Sequence, residues 1–207
     1  MEKRIDKQNY YLDIAETVAS RATCLRKKYG AVIVNRDQII ATGYNGAPRG
    51  RENCNDLGYC TKKKLLPNER HGGFDACRSV HAEQNAIISA SREEMIGGTL
   101  YLVGYRTEGH DYEEGAAPCL MCRKFLINAG IEKVVVRVNK ENYVTFEVEA
   151  NSNTISGFPA FSQREMMSAK GTNSPSNSWM QYALSHIMVK SGAAGFRFAK
   201  RCTVSSE

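Results

Sequence analysis

Apolar positions recur along the chain with two periods, and the points where the period changes mark the elements. Tyr11, Ile14, Ala15, Val18 and Ala22 repeat at helical spacing, and Asp6 is placed to cap the helix that they predict. After Gly30 the rhythm shortens. Residues 31–34 and 38–42 read as strands, with Asn35-Arg36-Asp37 as the hairpin turn between them. Gly43-Tyr44-Asn45-Gly46-Ala47-Pro48 is a turn-rich exit from the second strand. Residues 50–78 are polar and show no clear periodicity, so a loop of that length is expected to be functional or anchored. Helical spacing returns over 81–92, and 99–103 reads as a strand. A further helix over 119–129 is stopped by Gly130, and 133–138 is another strand. Residues 144–148 can add one more.

This order predicts a three-layer α/β/α arrangement on a mixed sheet, with strands 99–103 and 133–138 parallel because a helix joins them. Residues 149–178 are rich in Ser, Asn and Gly and read as a linker or irregular arm, and 179–189 can form one more helix. The expected organisation is a domain over 1–140 and a C-terminal extension over 141–207.

Composition narrows the class. Of 207 residues, 42% are hydrophobic and 24% charged, which excludes collagen-like and disordered chains. The N-terminus lacks the apolar segment of a secretory signal, and no apolar run approaches a membrane span, so a cytoplasmic location is expected. The net charge of +6 is concentrated: residues 1–80 hold 15 Lys/Arg against 9 Asp/Glu. That excess fits solubility or an anionic partner. Seven cysteines, an odd number with no signal before them, favour metal ligation or catalysis over disulfides.

The chemistry sits at two predicted helix starts. His81-Ala82-Glu83 opens one and Pro118-Cys119-Leu120-Met121-Cys122 the other. His81, Cys119 and Cys122 supply three zinc ligands, which leaves the fourth tetrahedral position for a water that the metal acidifies. Two thiolates balance the 2+ charge. Glu83 lies two residues from His81, better placed to take that water's proton than to bind the metal. The pattern His-x-Glu with Pro-Cys-x-x-Cys is the established signature of zinc nucleobase deaminases.

With these motifs the chain resembles the cytidine/deoxycytidylate deaminase superfamily, and within it the deoxycytidylate (dCMP) deaminases, including the bacterial competence-operon type. The resemblance runs over about residues 8–138. It rests on Ser20-Arg21-Ala22-Thr23-Cys24-Leu25-Arg26, Gly30-Ala31-Val32-Ile33-Val34, the Gly43 to Pro48 segment, His81-Ala82-Glu83-Gln84-Asn85-Ala86, and Pro118-Cys119-x-x-Cys122. It implies a cytidine-deaminase-like fold and hydrolysis of dCMP to dUMP at a catalytic zinc, with Glu83 shuttling protons to the ring and the leaving amine. It implies that Asn45, Asn85 and Ala82 line the substrate and that Arg92 faces its phosphate. Homo-oligomers are common in the family. A second, structural zinc is also implied, drawn from Cys24, Cys54, His71 and Cys77, with Cys60 competing for the fourth place.

The chain departs from the family pattern between residues 104 and 117, an insertion carrying Tyr105, Arg106, His110 and Tyr112, expected at the mouth of the pocket. Ala117 also stands where a hydroxyl residue is usual. Both features keep a second substrate class open: dCTP, a modified pyrimidine or another amine-bearing small molecule. Nucleic-acid editing is disfavoured, because Lys62-Lys63-Lys64 is not interleaved with aromatic residues.

Overall fold

Two apolar faces on one sheet organise the chain. The computed structural model describes residues 4–68, 73–113 and 116–148, all within the first of two units, Met1–Gly171. The linker over 149–178, the helix over 179–189 and His71 lie outside the described residues.

Helix α1 (Lys7–Ser20) starts where expected: the Asp6 carboxylate accepts from the Asn9 N–H at 3.0 Å, satisfying a donor that the first turn leaves open. Strands β1 (Lys27–Asn35) and β2 (Gln38–Tyr44) form a hairpin through Arg36 and Asp37, both at positive φ (48° and 65°), the geometry of a two-residue turn matched to strand twist. No glycine is present there. Asp37 instead fixes the turn through bonds from Tyr11 Oη at 2.7 Å and Lys7 Nζ at 2.8 Å.

The described parts of 50–78, residues 50–68 and 73–78, are more ordered than the missing periodicity suggests. They hold the one-turn helices α2 (Cys54–Leu57) and α3 (Thr61–Leu65) and a 3-10 turn at Phe74–Ala76, each too short to show a period. The helix expected over 81–92 is two. α4 (Ala82–Ile87) ends at Ile88, and α5 (Arg92–Met95) restarts because Ser91 and Glu94 form a capping box. Then follow β3 (Thr99–Arg106), α6 (Leu120–Ala129), β4 (Lys133–Arg137) and β5 (Tyr143–Glu147). α6 stops at Gly130, φ 78°, the left-handed cap that glycine accepts without strain.

The sheet order is β2-β1-β3-β4-β5. Among the described strands, β3 and β4 pair in parallel, with Thr99 opposite Lys133, and the other pairs are antiparallel, so the sheet is mixed. β5 lies beyond residue 140 and is hydrogen-bonded to β4, so the sheet takes in the chain to Glu147. Alternation divides the side chains. Ala31, Ile33, Leu100, Leu102, Val134 and Val136 face α4, α5 and α6, whereas Val32, Val34, Tyr101, Val103 and Val135 face α1. The result is the expected three-layer α/β/α fold. Fully buried Leu12 on one side and Leu126 on the other each contribute roughly 2 kcal/mol by removal from water.

Candidate active site

The site forms where the chain enters α4 and α6. Gly43 lets α4 lie against β2, since a Cβ there would overlap the backbone of Ala82, Asn85 and Ala86. The β2 exit is then tied to the segment before α4: Val80 N–H donates to Gly46 O at 2.8 Å and Gly46 N–H to Val80 O at 3.2 Å. His81 follows at the N-cap of α4, where its own N–H donates to Gln84 Oε1 at 3.0 Å. Cys119 occupies the same position on α6, with Cys122 in its first turn.

His81 Nδ1 lies 3.5 Å from Cys119 Sγ and 3.4 Å from Cys122 Sγ, and the three donor atoms are all within 4.8 Å of one another. A tetrahedral zinc with ordinary Zn–S and Zn–N bonds sets the N···S edge at about 3.5 Å, so the residues present fit the metal. Among the described residues this is the one cluster of three such donors. The two thiols are coupled. A hydrogen bond from Cys122, then His81, holds Cys119 down to about 4 against the effect of burial, while the Cys119 beside it pushes Cys122 far up. His81 is raised by its bond to Cys119 more than burial lowers it. Phe74 stands edge-on to the imidazole, ring centroids 5.0 Å apart, and limits its rotation.

Glu83 is 5% exposed, and burial raises its carboxyl above the ordinary carboxylate range. It interacts with Cys122, so the acid stands at the metal donors without being one of the cluster.

The other expected residues fall into three places. Asn45 is buried and spends its amide on β1: Oδ1 accepts from Tyr29 N–H at 2.7 Å and Nδ2 donates to Lys27 O at 3.0 Å. Asn85 Nδ2 donates to Tyr44 O at 2.7 Å. Ala82 is fully buried. Arg92 is not brought to the donors, because its Nε donates to Asn128 O at 2.9 Å, at the opposite end of α6 from Cys119. Burial raises the Cys54 thiol and the charges of Cys24, Cys60 and Cys77 raise it further, but among the described residues no three of these sulfurs stand together as His81, Cys119 and Cys122 do.

The insertion differs from expectation. It continues β3 into a second hairpin, with Tyr105 bridged to Tyr112 and Glu113 N–H donating to Gly104 O at 2.8 Å. Tyr105 and Tyr112 pack on the α1 side of the sheet, and His110 stacks on Tyr105 at 3.8 Å. Its aromatic side chains therefore face away from the metal donors. Gly104 and Glu113 alternate to the α4/α6 side, opposite Tyr29 of β1. Neither Tyr29 nor Glu113 stands out in the sequence; only cross-strand register reveals them.

Fold and donor set together define the class of zinc-dependent deaminases, in which a metal-activated water attacks an amine-bearing carbon beside a carboxylate. Residues 5–138 match the cytidine and deoxycytidylate deaminase zinc-binding region, and the chain belongs to that family. It is similar to the deoxycytidylate deaminase of Mycobacterium phage D29, with 36% identity over 136 residues, 64% of this chain and 94% of the phage protein. It is 33% identical to the Schizosaccharomyces pombe deoxycytidylate deaminase over 129 residues, 61% of this chain but 35% of that longer protein. The dCMP deaminase of cyanophage S-TIM5, solved in complex with dCMP and dUMP, has 27% identity and a TM-score of 0.47, covering 66% of this chain and 84% of its own.

Proposed function

We propose that the protein hydrolyses dCMP to dUMP and ammonia. The observation that carries the reading is the buried Glu83 carboxylate beside His81, Cys119 and Cys122, the arrangement a hydrolytic deaminase needs. The likeness to the phage D29 deoxycytidylate deaminase, over nearly all of that protein, supports dCMP as the substrate.

His81, Cys119 and Cys122 would hold the zinc, whose chemistry is to make a water nucleophilic near neutral pH. Glu83 takes a proton from the attacking water and delivers it to N3 of the ring as oxygen adds at C4. It then carries the second proton to the departing amine, so one water is consumed and one ammonia released. Burial suits it to this work, since raising the carboxyl makes it a better holder of the proton that it takes from water and passes on. Asn45 and Asn85 brace the end of β2, and with Ala82 they define the edge where the nucleotide lies. Arg92 reaches a phosphate in this reading only if the nucleotide extends toward the C-terminal end of α6.

The basic excess near Arg49 and Arg51 suits a mononucleotide phosphate better than a polymer. Lys62 and Lys64 already lie over the Phe74 and Tyr59 rings, at 5.4 and 4.6 Å, so these rings do not offer open platforms for bases. Ammonia release from dCMP, dCTP, CMP, cytidine, cytosine and a short single-stranded DNA tests the assignment. dCMP is expected to turn over fastest. Turnover confined to another small molecule of the panel moves the assignment to the second reading, an amine-bearing small molecule selected by the 104–117 insertion, and turnover confined to the DNA moves it to nucleic-acid editing.

A second zinc belongs to the same proposal, held by Cys24, Cys54, Cys77 and His71 or with Cys60 as the fourth ligand. The influence of three cysteines, Cys24, Cys60 and Cys77, on buried Cys54 supports it. Elemental analysis is expected to give two zinc ions per chain, and one would refute it. Exposed Leu120 (56%), Met121 (52%) and Phe125 on α6 support a homo-oligomer, checked by light scattering. No described helix is long and apolar enough to cross a membrane, which is consistent with the proposed cytoplasmic location. Residues 141–207 are proposed to extend the deaminase domain of 1–140, with β5 already part of its sheet.

A further inference from the structure

Arg123 is placed against the electrostatics of the helix that carries it. It sits on α6 one turn after Cys119, close to the end where unpaired N–H groups give a helix its positive pole, and a cation there is disfavoured. No acid stands in the first turn to offset it. Its neighbours at helical spacing are Cys119, Leu120, Leu126 and Ile127, so no carboxylate on α6 is in register for an ion pair. Arg123 is half-buried nonetheless. Its side chain runs back over the preceding turn, as long helical side chains do, and Nε–H donates to the Pro118 carbonyl at 2.9 Å.

That bond does nothing for the helix itself. A helix start leaves N–H donors open, which call for acceptors, and Arg123 supplies a donor. Gln84 of α4 shows the ordinary device, its Oε1 accepting from His81 N–H at 3.0 Å. The α6 ladder opens with Arg123 N–H donating to Cys119 O at 2.9 Å, so the Pro118 carbonyl lies ahead of it. What the Nε bond fixes is the approach to Cys119. The pyrrolidine ring sets Pro118 φ, which leaves ψ as the torsion that turns the carbonyl. Because the peptide is planar, holding that carbonyl also holds Cys119 N. Both feed the extended N-cap geometry (φ −65°, ψ 164°) from which Cys119 Sγ comes to 3.5 Å from His81 Nδ1. One residue thus grips the carbonyl on each side of the Cys119 Cα.

We propose that Arg123 is a positioning residue of the metal centre, holding Cys119 where the zinc needs its thiolate. The inference rests on the reading of His81, Cys119 and Cys122 as zinc ligands and deepens it. Because Arg123 acts through Cys119, its signature lies in metal retention and kcat rather than in KM.

Three variants separate the bond from the charge. Arg123→Met keeps the aliphatic stem and removes the donor. Arg123→Gln places an amide N–H where Nε stands and removes the charge, whereas Arg123→Lys keeps the charge and has a methylene at that place. Zinc release from the full-length chain to a chromophoric chelator reads the metal without turnover. One zinc per chain is expected to leave about ten- to a hundredfold faster in Arg123→Met and Arg123→Lys, and near the wild-type rate in Arg123→Gln. The visible spectrum of the cobalt-substituted protein, which reports ligand geometry, is expected to shift in Arg123→Met and return in Arg123→Gln. At full zinc loading, kcat for dCMP is expected to fall about tenfold in Arg123→Met with KM within about twofold.

Unchanged zinc release in Arg123→Met overturns the proposal, and so does recovery in Arg123→Lys but not in Arg123→Gln, which leaves only the charge at work. A raised KM with unchanged zinc release also overturns it, making Arg123 a substrate contact. Equal losses of melting temperature and zinc in all three variants make the residue merely structural. Absence of dCMP turnover in wild type overturns the substrate reading and leaves the zinc-release result standing. A Cys122→Ala chain that keeps all of its zinc overturns the ligand reading beneath both.

Discussion

The two faces of the sheet each carry a buried cluster of charged and polar groups, yet one is built to stay closed and the other to receive something. On the α1 side, Arg137 is fully buried. Its Nη1 donates to Asp13 Oδ1 at 2.7 Å and Glu16 Oε2 at 2.9 Å, and its Nη2 to Asn9 O at 3.2 Å. Lys140, Tyr112 and His110 complete the shell around Glu16. Arg137 Nε has no partner among the described residues. On the other side, His81, Cys119 and Cys122 direct three donors at one another, Glu83 is buried beside them, and Glu113 Oε2 has no partner among the described residues. Each face keeps one buried polar atom without a described partner, so what separates them is the convergence of three metal donors and a buried carboxylate on one side only. Tyr112 and His110 fasten the insertion to the closed cluster, while Glu113, on the other face, pairs with Lys27 of β1.

This contrast can be tested from each side. The largest effect is expected from Cys122→Ala, which removes a metal ligand. Bound zinc should fall by one ion per chain, measured by elemental analysis, and deamination should drop to background. On the closed side, Arg137→Met leaves Asp13 with Lys140, and Glu16 with Lys140, His110 and Tyr112, and is expected to cost about 3 kcal/mol in urea unfolding, as for other broken buried pairs. The kcat of folded Arg137→Met should stay near wild type, because the cluster lies on the other face from the donors.

Acid acts on the same cluster with a defined sign. Burial works to raise Asp13 and Glu16, but hydrogen bonds from Lys140 and Arg137 to Asp13, and from His110, Tyr112 and Lys140 to Glu16, outweigh it. Both carboxyls therefore sit below their ordinary 3.8 and 4.5. Their contribution to stability is complete above those ordinary values and is lost as the pH falls through the lowered folded-state values. Wild-type unfolding free energy should decline over that acidic window, and the decline should flatten in Arg137→Met. The smallest effect is expected from Asp6→Ala, which removes only the α1 cap and should lower stability by about 1 kcal/mol without changing KM.

Much of the fold was legible because period and burial agree. Alternation in Ala31 to Val34 and Val134 to Val136 marks strands covered on both sides, and the helical repeat from Tyr11 marks α1. His81, Cys119 and Cys122 were legible because metal ligation demands particular residue types at particular spacings. The break between α4 and α5 was not, since apolar positions continue through it and only the Ser91–Glu94 box sets the restart. The one-turn helices around Cys54 and Thr61 are shorter than any period they could display. Arg137, read from its strand alone, is an ordinary terminal charge; its burial depends on Asp13 and Glu16 from a helix more than a hundred positions away, a relation no local pattern carries. Tyr29 and Glu113 were hidden for the same reason, because register brings them together across Gly104.

The account rests on Glu83 moving protons without holding the metal. Deamination of dCMP by Glu83→Gln, loaded with zinc to the wild-type level, tests this most directly. The predicted result is a fall in kcat of about a thousandfold with zinc content unchanged. Turnover near the wild-type rate at full zinc occupancy would contradict it.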